Sequence, residues 1–224
     1  MTPDSLSPGS MSPQTAALIE RLAAEAAPVT PLPPPGRRAA SWLACFAVLA
    51  AALIALAGRP EDVMGRLDQP WFGVALLAAG LTGAGAVLSA FHLAIPGHHP
   101  GWGRAPLVPL AVWLGASGWG CWQDWVTSGP DGIAPGHTGE CFAFIAGFGV
   151  VIAMGLVPML RAARPLAPRH VAVHAGLGVA GLAAFLLAFF HPFDITFLDL
   201  GVHALAVGVV IGAMTLSARR TLNA

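Results

Sequence analysis

Beyond residue 38 the chain is a succession of long apolar runs separated by short polar breaks. A membrane-crossing helix needs roughly 20 consecutive apolar residues. Six stretches meet that need, at about 39–58, 71–95, 105–123, 140–160, 170–190 and 197–217. The breaks run from Arg59 to Pro70, Pro96 to Arg104, Asp124 to Gly139, Arg161 to Arg169 and His191 to Thr196. The third stretch is the least regular, with glycine and tryptophan crowding its end. Upstream the pattern changes. Ser12-Pro13 has the form of an N-cap followed by proline at the first helical position. After it, Leu18, Ile19, Leu22, Ala23 and Ala26 recur at three- and four-residue spacing, with Gln14, Glu20, Arg21 and Glu25 elsewhere on the wheel. This predicts a short amphipathic helix over about 13–27, marginal alone in water. Pro28, Pro31 and Pro33-Pro34-Pro35 then form a stiff linker over 28–36. The expected fold class is all-α. A polytopic six-helix transmembrane bundle (39–218) follows an N-terminal segment (1–38) carrying the amphipathic helix, and a short tail (219–224) ends the chain.

Composition strengthens the membrane reading. Hydrophobic residues are 56% of the 224 and charged residues only 10%, with a mean hydropathy of +0.71. A soluble domain carries about 25% charged residues. The net charge is zero and all eleven cations are arginines, so no basic tail or stripe exists and no direct nucleic-acid contact is expected. Three cysteines in a chain this long exclude a disulfide scaffold. Residues 1–38 hold no long apolar core, which argues against a cleavable secretory signal; the run behind Arg37-Arg38 reads as a retained signal-anchor. Six spans put both termini on one side. On that side fall Arg21, Arg37, Arg38, Arg104, Arg161, Arg164, Arg169, Arg219 and Arg220, against Arg59 and Arg66 on the other. The excess of arginine predicts cytoplasmic N- and C-termini. Trp42, Trp71, Trp119, Trp122 and Trp125 lie near span ends, as an interfacial aromatic belt requires.

Residues able to carry chemistry gather on the outer face. Cys121 ends the third stretch and Cys141 opens the fourth, at matching depth and joined by a loop of about twenty residues. In an oxidising compartment such a pair can bridge, worth about 3 kcal/mol for a loop of that size. Two readings stand: a permanent staple, or a redox- or metal-responsive pair that binds a soft ion transiently. His137, His191 and Asp194 share the face, and Asp124 and Glu140 adjoin the cysteines. Those acidic neighbours disfavour the thiolate, which argues against a catalytic cysteine. No CxxC or HExxH spacing marks a zinc site. Cys45, toward the inner end of the first stretch, reads as a small core residue. Asp199 and His203 stand four apart on one helix face, either a functional intramembrane pair or a helix-locking bridge. His92, His98, His99, His170 and His174 gather at the inner side, as a cluster or as solvated interfacial residues. Gly208-xxx-Gly212 and Gly176-xxx-Ala180 permit close helix approach. Packing within the bundle is the favoured reading, with a homo-oligomer left open. No phosphate loop or Ser/His/Asp set appears, so neither an enzyme nor a cofactor is expected.

Read together, these residues resemble the NrsF family, negative regulators of an extracytoplasmic-function sigma factor. The resemblance runs from about residue 15 to the C-terminus. It rests on Leu22-Ala23 with Pro28-Val29 and the proline run; Arg59-Pro60-x-Asp62 with Arg66 and Pro70; Gly83 with Pro96-Gly97; and Gly120-Cys121-x-x-Asp124-Trp125 with Gly129 and Cys141-Phe142. Pro158-Met159-Leu160-Arg161 with Pro165-Leu166, and His191-Pro192-x-Asp194 with His203, complete it. Where family members often carry tryptophan before the last-span histidine, this chain has Val202. The resemblance implies a six-span anti-sigma factor of the bacterial inner membrane. Its cytoplasmic N-terminal segment holds a sigma factor, and its paired periplasmic cysteines, here Cys121 and Cys141, respond to heavy-metal stress.

On that reading Leu18, Ile19 and Leu22 form the sigma-binding face, laid into a groove of the partner. Asp124, His191, Asp194, Asp199 and His203 are supporting residues of the sensing site. Two rival readings are a small transporter, suggested by six spans and the Asp199/His203 pair, and a thiol oxidoreductase using Cys121, Cys141 and a quinone. The first lacks obvious inverted repeats and the second a further thiol pair.

Overall fold

A computed structural model describes residues 12–26, 31–129, 138–190 and 196–222. Among these the chain is helical, without a strand. It divides into two compact units, 1–32 and 33–224. The first holds α1 (Pro13–Glu25). The Ser12 hydroxyl accepts from the Thr15 amide at 3.2 Å, and Pro13 sits where no amide donor is needed. Arg21 and Glu25 pair across one turn at 3.7 Å. No residue of α1 is buried.

The second unit contains α2 (Pro35–Ala57), α3 (Pro60–Arg66), α4 (Pro70–Leu93), α5 (Leu107–Ser128), α6 (Thr138–Arg161), α7 (Pro168–Leu187) and α8 (Phe197–Leu222). Each apolar stretch is a helix, but the ends differ from expectation for local reasons. α2 starts at Pro35, so the linker expected over 28–36 gives Pro35 and Gly36 to the helix. Proline costs nothing at a first helical position. α5 runs past 123 to Ser128 because nothing breaks it before Gly129, whose φ of 70° closes the helix. The breaks hide short elements too. α3 carries Glu61 and Asp62 in its first turn and Arg66 in its last, matching the helix dipole. The Arg59 amide beside it donates to the Phe189 carbonyl at 2.6 Å. A 3-10 turn, Pro100–Arg104, fills the second break; the Ser89 hydroxyl donates to its Trp102 carbonyl at 2.7 Å.

Five helices, α2, α4, α6, α7 and α8, are long and apolar enough to cross a membrane. α5 has the length, 22 residues, but not the apolarity. Glycine, serine and tryptophan dilute its middle, and Gln123 and Asp124 follow. The expectation of six apolar spans is thus met by five on composition, with α5 differing.

α7 is the centre of the bundle. Fourteen of its 20 residues are buried, and it packs most extensively against α4 and α8, then α6. Missing side chains set these spacings. A Cβ at Gly181 would come within 3.1 Å of the Gly83 Cα, and one at Gly83 within 2.7 Å of the Leu182 amide nitrogen. On α7's other flank, a Cβ at Gly176 would meet the Ile211 Cα at 2.8 Å. Gly176 therefore serves packing inside the bundle. Gly208 and Gly212 do not: a Cβ at either meets nothing within 4 Å. The outer surface stays apolar, with Val48, Leu56, Val108, Val150, Leu205 and Leu216 all exposed. Water would penalise such a surface heavily, whereas lipid would not.

Candidate functional site

The C-terminal part of α5 and the start of α6 each lie against the start of α8 at one end of the bundle. α5 reaches this position because Gly120 carries no side chain; a Cβ there would run into the Trp71 ring of α4. Cys121 follows on α5, and Cys141 lies in the first turns of α6. Both are buried, 1% and 3% exposed, and both are free thiols. The Cys121 thiol donates to the Thr196 carbonyl at 3.6 Å. Cys141 packs into the core cluster with Ile145.

Thr196 caps α8 reciprocally with Asp199. The Asp199 carboxylate accepts from the Thr196 hydroxyl at 2.8 Å and its amide at 3.2 Å, while the Asp199 amide donates to Thr196 Oγ1 at 3.1 Å. The same carboxylate lies close enough to act electrostatically on both thiols; Asp124 adds its charge at Cys121 and Glu140 at Cys141. Three sequence-selected residues, Cys121, Cys141 and Asp199, thus gather around the first turn of α8. The carboxylate's hydrogen bonds are those of a helix cap. The hydrogen bond between Asp199 and His203 runs instead from the imidazole Nδ1–H to the Asp199 backbone carbonyl, at 2.7 Å.

The other selected residues lie elsewhere. Asp124, one turn beyond Cys121, lines a polar cavity of about 230 Å³ with Arg66, Gln69, Trp71 and Gln123. His203 lines an apolar cavity one turn deeper. His191, Asp194 and His137 lie outside the described residues. On α1, Leu18, Ile19 and Leu22 are 46%, 49% and 55% exposed. Among the described residues no group of three His, Cys, Asp or Glu is arranged to hold a metal ion.

At the opposite end the histidines separate into structural roles. His92 stacks on Trp102 at 3.9 Å. His174 contacts the His170 carbonyl at 2.9 Å and the Gly103 carbonyl at 3.1 Å, tying α7 to the 3-10 turn. His99 accepts from the Gly101 amide. Arg38, counted from sequence only as an inward charge, is buried: its guanidinium donates to the Met159 carbonyl of α6 and lies 5.2 Å from the Phe91 ring centre of α4. Sequence reasoning missed Thr196 as well, although Thr-x-x-Asp before an apolar run is a readable capping signal. The Arg38 contacts have no such local signature.

Comparison with known proteins gives one match. A family model described as NrsF, negative regulator of sigma F, covers residues 22–223. Leu22 is inside that match; Leu18 and Ile19 precede it. No curated protein and no solved structure matches the chain.

Proposed function

The chain belongs to the NrsF family of negative regulators of sigma F, and from that premise we propose that it is a membrane-embedded anti-sigma factor that captures an extracytoplasmic-function sigma factor through α1. Negative regulation of a sigma factor follows from the family, which is regulatory rather than enzymatic. The docking residue assignment rests on the bare apolar face of α1: Leu18, Ile19 and Leu22 recur on one side of a capped helix and about half of each remains exposed. An amphipathic helix of this kind suits a hydrophobic groove on a protein partner.

Counting α5 as a span gives six. Its 22 residues correspond to about 33 Å of helix, the thickness of a bilayer core, and Leu107, Val108, Val112 and Leu114 present apolar side chains outward. With six spans and the arginine excess, α1 lies in the bacterial cytoplasm and Cys121 and Cys141 on the periplasmic side of the inner membrane. The thiol pair is the sensor. Both are free, buried thiols. A thiophilic metal ion would displace their two protons and bind both sulfurs, whereas an oxidant would take up two electrons as the two protons leave and a disulfide forms; either joins α5 to α6. Emptying a site from 99% to 1% occupancy needs about 5.5 kcal/mol of differential stabilisation, within reach of a metal–dithiolate bond. The direct test is co-purification of the sigma factor with the full-length protein from membranes, before and after cadmium or chromate. A sigma factor that never co-purifies would refute the sequestration model.

A further inference from the structure

A cavity of about 290 Å³ lies among α4, α5, α7 and α8. It exists because α5 packs along α4 yet meets α8 only lightly, leaving space toward α7. Its wall is apolar, including Phe72, Trp113 and Leu187, with two polar side chains, Ser117 of α5 and His203 of α8. Ser117 is the unusual one. Elsewhere in these helices Thr82, Ser89, Thr127, Thr215 and Ser217 donate to the carbonyl four residues back. Ser117 is only 8% exposed, and its hydroxyl makes no hydrogen bond among the described residues. On the facing helix, the carbonyl of Asp199 can only accept, so the His203 imidazole donates to it from Nδ1.

These features select an occupant. The space has room for several waters, each needing two to four polar partners, and the two polar side chains lining it cannot satisfy them. A saturated acyl chain would leave the Ser117 hydroxyl without a partner. The volume is at the lower bound of ligand pockets, which hold roughly 300–1,000 Å³, and suits a single substituted ring. We propose that the cavity binds a bilayer-soluble ring bearing a carbonyl or hydroxyl oxygen, the chemistry shared by quinone headgroups and phenols. Ser117 hydrogen-bonds that oxygen, and His203 stands on the facing helix. Ser117 is one turn from Cys121 on α5, and His203 one turn from Asp199 on α8. A bound ring therefore lies between the two helices whose meeting buries the Cys121 thiol. This site is separate from the thiol reading and does not depend on it.

The test uses purified full-length protein in detergent micelles and follows thermal unfolding, which a ligand of the folded state raises in a saturable manner. The probes are a short-chain benzoquinone, an alkylphenol and a saturated alkane of matching length. Saturable stabilisation by quinone, phenol or both is expected, the pattern identifying carbonyl or hydroxyl as the oxygen bound. Ser117→Ala should raise the half-saturating concentration about three- to tenfold, as loss of one hydrogen bond predicts. Ala204→Phe, on a residue lining the cavity and otherwise exposed, should abolish the effect; if that variant fails to fold, Ser117→Ala decides alone. Equal stabilisation by the alkane with no effect of Ser117→Ala would overturn the proposal in favour of a lipid tail. Non-saturable shifts shared by wild type and Ser117→Ala would overturn it as simple partitioning.

Discussion

Replacing Leu18 and Leu22 of α1 by aspartate should release the sigma factor constitutively. The size of the effect follows from exposure. The two leucines are 46% and 55% exposed, so about half of each side chain remains to be covered by a partner. Full burial of a leucine is worth about 1.5–3 kcal/mol, so the two half-burials together contribute about 1.5–3 kcal/mol. Bringing carboxylates into the groove costs at least about 2 kcal/mol more. A total of about 3.5 kcal/mol or greater corresponds to a loss of affinity beyond about 300-fold. Co-purification from membranes should therefore fail, and a sigma-dependent reporter should be on without any stimulus. Leu18→Ala with Leu22→Ala separates docking from helix formation, because alanine keeps the helix while removing the face; it should weaken binding by about ten- to a hundredfold. Glu20→Gln, on the polar side, should change nothing. Wild-type retention of the sigma factor by the aspartate double variant would refute α1 as the docking helix, while leaving family membership untouched.

Three further outcomes are expected. Cys121→Ser and Cys141→Ser should each bind the sigma factor as wild type does but lose induction by metal or oxidant in the reporter; normal induction in both would eliminate the thiol sensor. An impermeant maleimide added outside spheroplasts should label Cys121 and Cys141 slowly, because both are buried, and should accelerate after mild detergent treatment; labelling only once the cytoplasm is opened would invert the topology. Gly83→Leu should destabilise the bundle by about 1–3 kcal/mol or more through overpacking, since even a Cβ there meets the Leu182 backbone at 2.7 Å. Gly208→Ala, opening onto free space, should be neutral, and equal destabilisation of the two in thermal unfolding would contradict the α4–α7 crossing.

The helices themselves were legible because apolar run length is a direct consequence of burying backbone in a membrane or core. Their ends were less so. Pro35 at the start of α2 and the continuation of α5 to Ser128 depend on what tolerates a helix rather than on hydropathy. The same limit governed α5 as a span: an apolar run that contains many small and aromatic residues has the length of a crossing without its apolarity. Pairing was harder still. Periodicity put Asp199 opposite His203, yet the carboxylate caps Thr196, because a side chain near a helix start meets unsatisfied amides before it meets its neighbour one turn on. Gly83 and Gly181 illustrate the remaining gap: both are visible as glycines, but their mutual contact comes from a crossing that one sequence does not encode locally.

The proposed coupling of a thiol sensor to sigma capture needs a physical connection, and the packing within the bundle offers a candidate for one. Cys121 rides on α5, which is held along α4, with Gly120 seated against Trp71. Cys141 rides on α6. Both α4 and α6 end beside α2, the helix that leads to the N-terminal segment, and Arg38 touches both: its guanidinium donates to Met159 of α6 and lies over Phe91 of α4. Drawing α5 and α6 together at their thiols would thus be felt at α2 from two sides, through a buried cation with no carboxylate partner in any ion pair of the described residues. Spatial continuity alone is not coupling, which is a free energy between two states. Arg38 is where that free energy can arise, because a buried guanidinium loses much when a hydrogen bond to it breaks. On the proposed mechanism, a shift of α6 against α4 would break or keep the Arg38–Met159 hydrogen bond at the start of α2, a discrete change rather than a gradual strain.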